Sequence, residues 1–238
     1  MSPPALEFKQ LSKRYGKSVV LKGLDLTIQS GEFFGLVGVN GAGKTTLIKC
    51  LLDFSEPDGG SIEIFGISNR LSRARSQLAF VPERFAPPYY LTGRNFLDYM
   101  LKLRGQVYEQ DRVESVLQAL DLDLDVLARP VRAYSKGMTQ KLGLAASFLS
   151  GRALYVLDEP MSGLDPKVRA LLKRYLQGMK EEGRTLFFSS HTLADVEEIC
   201  DRMAILHQGE LRFVGTPLEL CQHFNAANLE QAFLNCIA

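Results

Sequence analysis

The stretch GVNGAGKTT, residues 38–46, decides how the rest of the chain is read. It matches the spacing G-x-x-x-x-G-K-[ST], follows the apolar run GEFFGLVG (31–38) and opens a helical pattern from about Lys44 to Leu52. A strand that runs into a glycine-rich turn and then a helix is the setting in which this spacing cradles phosphate. The glycines let backbone N–H groups curl around phosphate oxygens. A lysine at position 44 reaches the outer phosphates, and the Thr45 hydroxyl can ligate Mg²⁺. Average residue frequencies give such a match by chance in about one chain of this length in a hundred. The loop residues Gly38, Asn40, Gly41, Ala42, Gly43, Lys44, Thr45 and Thr46 are therefore read as a phosphate-binding set.

Working outward, LYVLDEP (154–160) places two carboxylates directly after an apolar strand. That is the carboxyl edge of a parallel sheet, where open α/β folds bind ligands. Asp158 is the candidate for holding Mg²⁺, and Glu159 the candidate for polarising a water toward the terminal phosphate. An acidic helix start would be the commoner meaning of two such residues alone; the loop at 38–46 tips the balance. FFSSH (187–191) ends a second buried strand with His191 at the same edge, which favours a phosphate contact over a structural histidine. Tyr15, in KRYG (13–16), is an aromatic ahead of a strand, and its position alone does not displace the reading of an ordinary hairpin tyrosine.

The rest of the chain supplies the frame. ALEFKQLSKRY and VVLKGLDLTIQ alternate apolar and polar residues, as half-buried antiparallel strands do. GEFFGLVG is apolar on both faces and fits a central parallel strand. The turn EPDGG leads to the short strand SIEIFG. From about residue 88 to 150, LTGRNFLDYMLKLRG, YEQDRVESVLQALDL and a helix from Met138 onward give three helical patterns with no convincing strand between them. Ser135 stands at the N-cap of the third, and Gly137 in its first turn, an arrangement suited to an anion. Strand–helix alternation then resumes through RALYVLD, PKVRALLKRYLQGMKEEG, RTLFFSS and TLADVEEICD, and MAILHQGELRFVGT reads as a hairpin.

Composition narrows the class. The 238 residues carry 28 Lys+Arg against 27 Asp+Glu, a formal net charge of +1, which disfavours a binder of nucleic-acid backbone. No run approaches the roughly 18 apolar residues of a membrane span. MSPPALEFKQ lacks the charged and apolar blocks of a secretory signal, and the four scattered cysteines read as free thiols of a reducing compartment.

The ordered set RYG, GVNGAGKTT, FVPE, YSKGM, LYVLDEP, SGLDP and SSH resembles the ATP-binding subunit of an ATP-binding cassette (ABC) transporter, over nearly all 238 residues. The resemblance implies an α/β fold: a P-loop NTPase (RecA-like) core with an antiparallel β subdomain and an inserted α-helical subdomain. Within a single domain over 1–238, the core and β subdomain would take 1–87 and 151–220. The helical subdomain would take 88–150, leaving a tail at 221–238. It implies that Tyr15 stacks on adenine, with Val19 or Val20 beside it, that Lys44, Glu159 and His191 carry catalysis, and that Thr45, Asp158 and Glu83 attend Mg²⁺. Two subunits would pack head to tail around two ATP molecules. Ser135 and Gly137 of YSKGM, which aligns with the family's L-S-G-G-Q, would then meet the γ-phosphate held by the other copy. Asp165 of SGLDP would lie in the loop that crosses between them.

Two features depart from the usual family pattern, and a third segment has two readings. Tyr134, Lys136 and Met138 replace Leu, Gly and Gln of the signature, and Lys136 either adds charge near the partner's nucleotide or points away. Glu83 stands where Gln is usual. Its two readings are a site ligand and a solvated loop residue. RFAPPYYLTG (84–93) either lines a groove for a helix of the membrane subunit or fills the seam between subdomains. Together with the short chain and the closing NLEQAFL, these variants resemble the exporter-type subclass. The expected partners are a transmembrane permease subunit and a second copy or a paralogous cassette, with no nucleic acid. The expected place is the cytoplasmic face of the cell membrane. A regulatory subunit that binds ATP with little turnover, or a soluble non-transport cassette, is the alternative; a small-molecule kinase leaves Ser135, Gly137 and SGLDP unexplained.

Overall fold

The computed structural model describes residues 3–238. In chain order, β1 (Leu6–Tyr15), β2 (Ser18–Ile28) and β3 (Phe33–Val37) lead into α1 (Lys44–Leu51). There follow β4 (Gly59–Ile64), β5 (Ile67–Ser68), α2 (Ser72–Arg75) and β6 (Leu78–Val81). The stretch from there to the next strand holds α3 (Gly93–Leu103), α4 (Gln110–Ala119), two short 3₁₀ turns and α5 (Lys136–Leu149). The chain closes with β7 (Leu154–Asp158), α6 (Pro166–Glu181), β8 (Thr185–Ser190), α7 (Leu193–Ile199), β9 (Arg202–His207), β10 (Glu210–Gly215), α8 (Pro217–His223) and α9 (Leu229–Ile237).

Two sheets result. β2-β1-β4-β5 is wholly antiparallel, and β10-β9-β3-β8-β7-β6 is parallel except for the edge strand β10. The central strands are buried from end to end because both faces of the larger sheet are covered. Their alternation divides them between two apolar cores. Phe33 and Val37 of β3, with Tyr155 and Leu157 of β7, join the core shared with α3–α7. Phe34 and Leu36, with Leu154 and Val156, join the core shared with α1 and the antiparallel sheet. Each strand therefore welds two layers, which fixes its register, because a slip of one residue would exchange the two faces.

The reading of the sequence missed five short elements, among them the one-turn helix α2. β6 has only four residues, too short for its period to separate strand from helix. β5 has two. α9 lies in the stretch read only as a tail (221–238), and α8 straddles its start, announcing itself by a capping box between Thr216 and Glu219. The third helical pattern starts two residues earlier than read, at Lys136, with Ser135 as its N-cap.

The larger sheet sets where the phosphate-binding stretch begins. Val37 ends β3 beside Ile205 of β9 and Ser190 of β8, and the chain turns immediately after. A Cβ on Gly38 would lie 2.4 Å from the backbone oxygen of Leu206 and 3.1 Å from the Ala42 side chain. Backbone on one side and the returning loop on the other leave nothing that can yield. Gly38→Ala is expected to destabilise the fold by about 2 kcal/mol through overpacking. For a chain of this size that lowers the thermal midpoint by roughly 4–8 °C, measurable by calorimetry; an unchanged midpoint would show that the loop relaxes freely.

Candidate functional site

Five parallel strands end at one edge, and the loops leaving three of them meet there. The first loop, 38–43, delivers α1, whose N-cap Gly43 has φ 113° and no capping side chain. A side chain at that φ is strained, and a Cβ there would also lie 2.9 Å from Leu21. The first turn of α1 thus keeps backbone N–H groups without a side-chain cap, which is what an anion needs. The second loop follows β7 with Asp158 and Glu159, and the third follows β8 with His191.

These loops enclose a cleft of about 290 Å³. Its walls include residues 39–46, Asp158, Glu159 and His191, joined by Val20, Glu83 and Ser162. Gly38 contributes from behind, its carbonyl accepting a 2.6 Å hydrogen bond from Lys44 Nζ. Lys44 Nζ also lies 3.8 Å from Glu159 Oε1, and both side chains are nearly buried. The other oxygen of Glu159, Oε2, lies 2.7 Å from His191 Nδ1, the histidine being the exposed partner. Glu159 therefore sits between an ammonium and an imidazole, one on each oxygen. Its backbone is in the left-handed region at φ 50°, a conformation costing about 1–2 kcal/mol for a residue with a side chain. Such a cost persists where surrounding contacts over-determine the residue, and those contacts are visible: its N–H donates to Ser189 Oγ at 3.0 Å, and its carbonyl accepts from Ser162 N–H at 3.0 Å.

Asp158 is 3% exposed. Its Oδ1 accepts from Ser189 Oγ at 2.5 Å, and its Oδ2 accepts from Thr45 Oγ1 at 3.3 Å. The strand-end carboxylate and the hydroxyl at the start of α1 thus form a pair of hard oxygen donors facing the cleft. Glu83, two residues beyond β6, is exposed but lines the same cleft.

Five residues singled out in the sequence stand apart from the cleft. Tyr15 ends β1 half-exposed, its hydroxyl 3.3 Å from Ser55 Oγ and Lys13 Nζ over its ring, outside the cleft wall that Val20 joins. Ser135 caps α5, its Oγ accepting from Met138 N–H at 3.1 Å, on the surface rather than in the cleft. Gly137 follows it, and a Cβ there would lie 3.3 Å from the Gly163 carbonyl. Lys136 neither points into the cleft nor stands free: its stem runs along Gly163, where a Cβ would come within 3.4 Å of Lys136 Cε. Asp165 caps α6 through its bond from Val168 N–H at 3.0 Å. Two residues that the motif reading passed over belong here, Ser162 and Ser189. Both lay inside motifs already quoted, and Ser189 carried a signal of its own as a hydroxyl directly after the apolar run 186–188 of a buried strand.

The chain is similar to known proteins in sequence and in fold. A family profile described as ABC transporter matches residues 21–162. An uncharacterized ABC transporter ATP-binding protein of Synechocystis is 41% identical over 204 residues, 84% of this chain and 57% of that one. The bacitracin transport ATP-binding protein BcrA of Enterococcus faecalis is 35% identical over 211 residues, 87% of this chain and 67% of its own. A solved structure of an ATP-binding subunit of an ABC transporter aligns over 98% of this chain and 99% of its own, with TM-score 0.87 and 31% identity. The chain thus spans little more than half the length of the first of these curated relatives.

The cleft's one buried ammonium should dominate its affinity for polyphosphate. Hydrogen bonds to charged groups contribute about 1.5–3 kcal/mol, so Lys44→Ala is expected to weaken binding of inorganic tripolyphosphate by roughly 10- to 100-fold. Titration calorimetry reads this directly, and equal affinity in the variant would place the phosphate elsewhere.

Proposed function

The chain belongs to the ABC transporter family, and from that premise we propose that it is the ATP-hydrolysing subunit of an exporter. In this reading it closes head to tail with a second cassette over two ATP molecules and drives a separate membrane-spanning subunit. The observation that carries the reading is the convergence of Lys44, Thr45, Asp158, Glu159 and His191 on one cleft beside an uncapped helix start.

Lys44 keeps one ammonium proton on the Gly38 carbonyl and has two donors left for β- and γ-phosphate oxygens. Glu159, oriented by His191, accepts a proton from the attacking water. The water oxygen bonds to the γ-phosphorus as the bond to the β–γ bridging oxygen breaks, leaving ADP and phosphate. His191 then faces the departing γ-phosphate, where charge accumulates. Tyr15 and Val20 take the adenine end.

Thr45 Oγ1 and Asp158 Oδ2 fit Mg²⁺, since that ion prefers a few hard oxygen donors completed by water and phosphate. Bound there, it neutralises charge on the phosphates. Glu83 supplies a further oxygen at the rim. Among the described residues no group of three or more His, Cys, Asp and Glu forms a cage that could hold a metal by itself, so the nucleotide would bring much of the coordination.

Ser135 and Gly137 lie on the outer surface of their own copy, which suits a contact with ATP held by another copy. The helix dipole of α5 adds positive potential there. Among the described residues no helix is long and apolar enough to cross a membrane. In this reading membrane coupling belongs to a separate subunit, with this chain on its cytoplasmic face. Of the two roles expected for the segment 84–93, packing between subdomains falls to Phe85, and this reading gives docking to its exposed tyrosines. Phe85 packs edge-on against Phe96, 5.7 Å between ring centres, and covers Gly143 of α5. Tyr89 and Tyr90 stand on the surface, 67% and 69% exposed, and supply an aromatic docking patch.

Glu159→Gln should retain ATP and block its hydrolysis, so light scattering should show a dimer that forms only with ATP. Changing Ser135 to Arg as well should abolish it. A protein that binds ATP and stays monomeric in both forms would remove the homodimer from the reading.

The docking patch predicts a different pattern. Tyr89→Ala with Tyr90→Ala should leave ATP affinity and the thermal midpoint unchanged. Co-purification with its transmembrane permease subunit should fall at least tenfold; undiminished co-purification would move the docking surface elsewhere.

A further inference from the structure

The geometry points to Ser189 as a positioning residue that sets both cleft carboxylates at once, through a single hydroxyl that never meets the nucleotide. This rests on the ATPase reading of the cleft and adds a residue to it.

β8 lies between β3 and β7, so it is flanked by the strand that feeds the phosphate loop and the strand that ends in Asp158. Ser189 is the register partner of Asp158 on one side and of Leu36 on the other. It is 0% exposed in a strand buried throughout, directly after Leu186, Phe187 and Phe188 and before Ser190. A hydroxyl in that position needs a partner, because an unpaired buried polar group is costly.

A serine hydroxyl has one proton and two lone pairs. Ser189 gives its proton to Asp158 Oδ1 at 2.5 Å and accepts the Glu159 N–H at 3.0 Å. The first bond occupies one oxygen of Asp158 and leaves Oδ2 as the one facing Thr45. The second holds the peptide that enters Glu159, the residue in the left-handed conformation, so that its carboxylate spans Lys44 and His191. Without the hydroxyl, Asp158 is free to turn about its last bond, and the Glu159 N–H loses its acceptor inside the protein. The Glu159 carboxylate then loses its fixed direction, while the loop that grips the phosphates is untouched. The expected signature is a fall in turnover with little change in nucleotide affinity.

The test uses the full chain as Ser189→Ala and Ser189→Thr, with wild type and Glu159→Gln alongside. Three readings are taken: thermal midpoint, hydrogen exchange at the Glu159 amide by nuclear magnetic resonance with ¹⁵N-labelled glutamate, and ATP turnover against affinity. Ser189→Ala should fold, exchange the Glu159 amide at least tenfold faster, and lose 10- to 100-fold in kcat with KM and Kd for ATP within about threefold. Ser189→Thr, which keeps a hydroxyl, should recover most of both effects. Exchange within twofold of wild type, or full turnover in Ser189→Ala, overturns the proposal. So does turnover that falls only in proportion to unfolded protein. If wild type and Glu159→Gln hydrolyse ATP equally, the ATPase reading fails instead, and the exchange measurement still decides whether Ser189 holds Glu159.

Discussion

Lys44 and Glu159 face each other across a cleft that leaves 8% and 12% of their side chains exposed, and neither charge can be left alone there. Removing one member of such a pair strands the other, at a typical cost of about 3–5 kcal/mol. Much of the surrounding structure answers that constraint. The Gly38 carbonyl turns inward to take one ammonium proton, which requires the chain to leave β3 in close contact with Leu206. His191 takes the second carboxylate oxygen. The parallel register of β3, β8 and β7 brings all three loops to one edge, so the balance of charge in the cleft is a property of the sheet.

The cleft was legible in the sequence where spacing along the chain determines geometry. GVNGAGKTT specifies its own turn, and beside that loop a carboxylate pair after an apolar strand reads as lying at the sheet edge. The contribution of Glu83 to the same wall depended on β6, a four-residue strand that carried too little pattern to be read. Its placement comes from pairing with β7, a contact between residues more than seventy positions apart. Ser189 was hidden for a related reason. A serine at the end of an apolar strand looks like a strand terminus, and only the neighbouring strand reveals that both its hydrogen-bonding capacities are committed.

The substitutions around α5 have a packing account. Tyr134, in place of the usual leucine, donates its hydroxyl to the Val126 carbonyl at 2.7 Å, tying the segment before the helix to the 3₁₀ turn at Leu124–Ala128. Burial pushes that hydroxyl up to about 12, so it stays a donor throughout the physiological range. At the far side, Asp121 joins three helices: its carbonyl accepts from Lys141 of α5, its carboxylate pairs with Lys167 of α6, and it directly follows the last turn of α4. Hydrogen bonding to Lys167 holds the Asp121 carboxyl below its usual range, keeping that link charged down to mildly acid pH. The helix that carries Ser135 is thereby tied both to the turns that precede it and to the helix that follows SGLDP.

Lys136 bears on how the cleft and the surface serine are connected within one copy. Glu159 accepts from the Ser162 N–H, and Ser162 lines the cleft. The next residue, Gly163, holds φ at +76° with the Lys136 stem against it and its carbonyl close to Gly137. A contiguous run of contacts therefore leads from the Glu159 backbone carbonyl to the start of α5 in three residues. A glycine at 136 would leave the Gly163 side of that run open; the lysine stem closes it with aliphatic contact while its ammonium remains at the surface. The departure from the usual signature thus tightens the junction between the SGLDP loop and the helix end. A shift at Glu159 has a packed route to Ser135, and contiguity of this kind is the physical condition that any coupling between the two must meet.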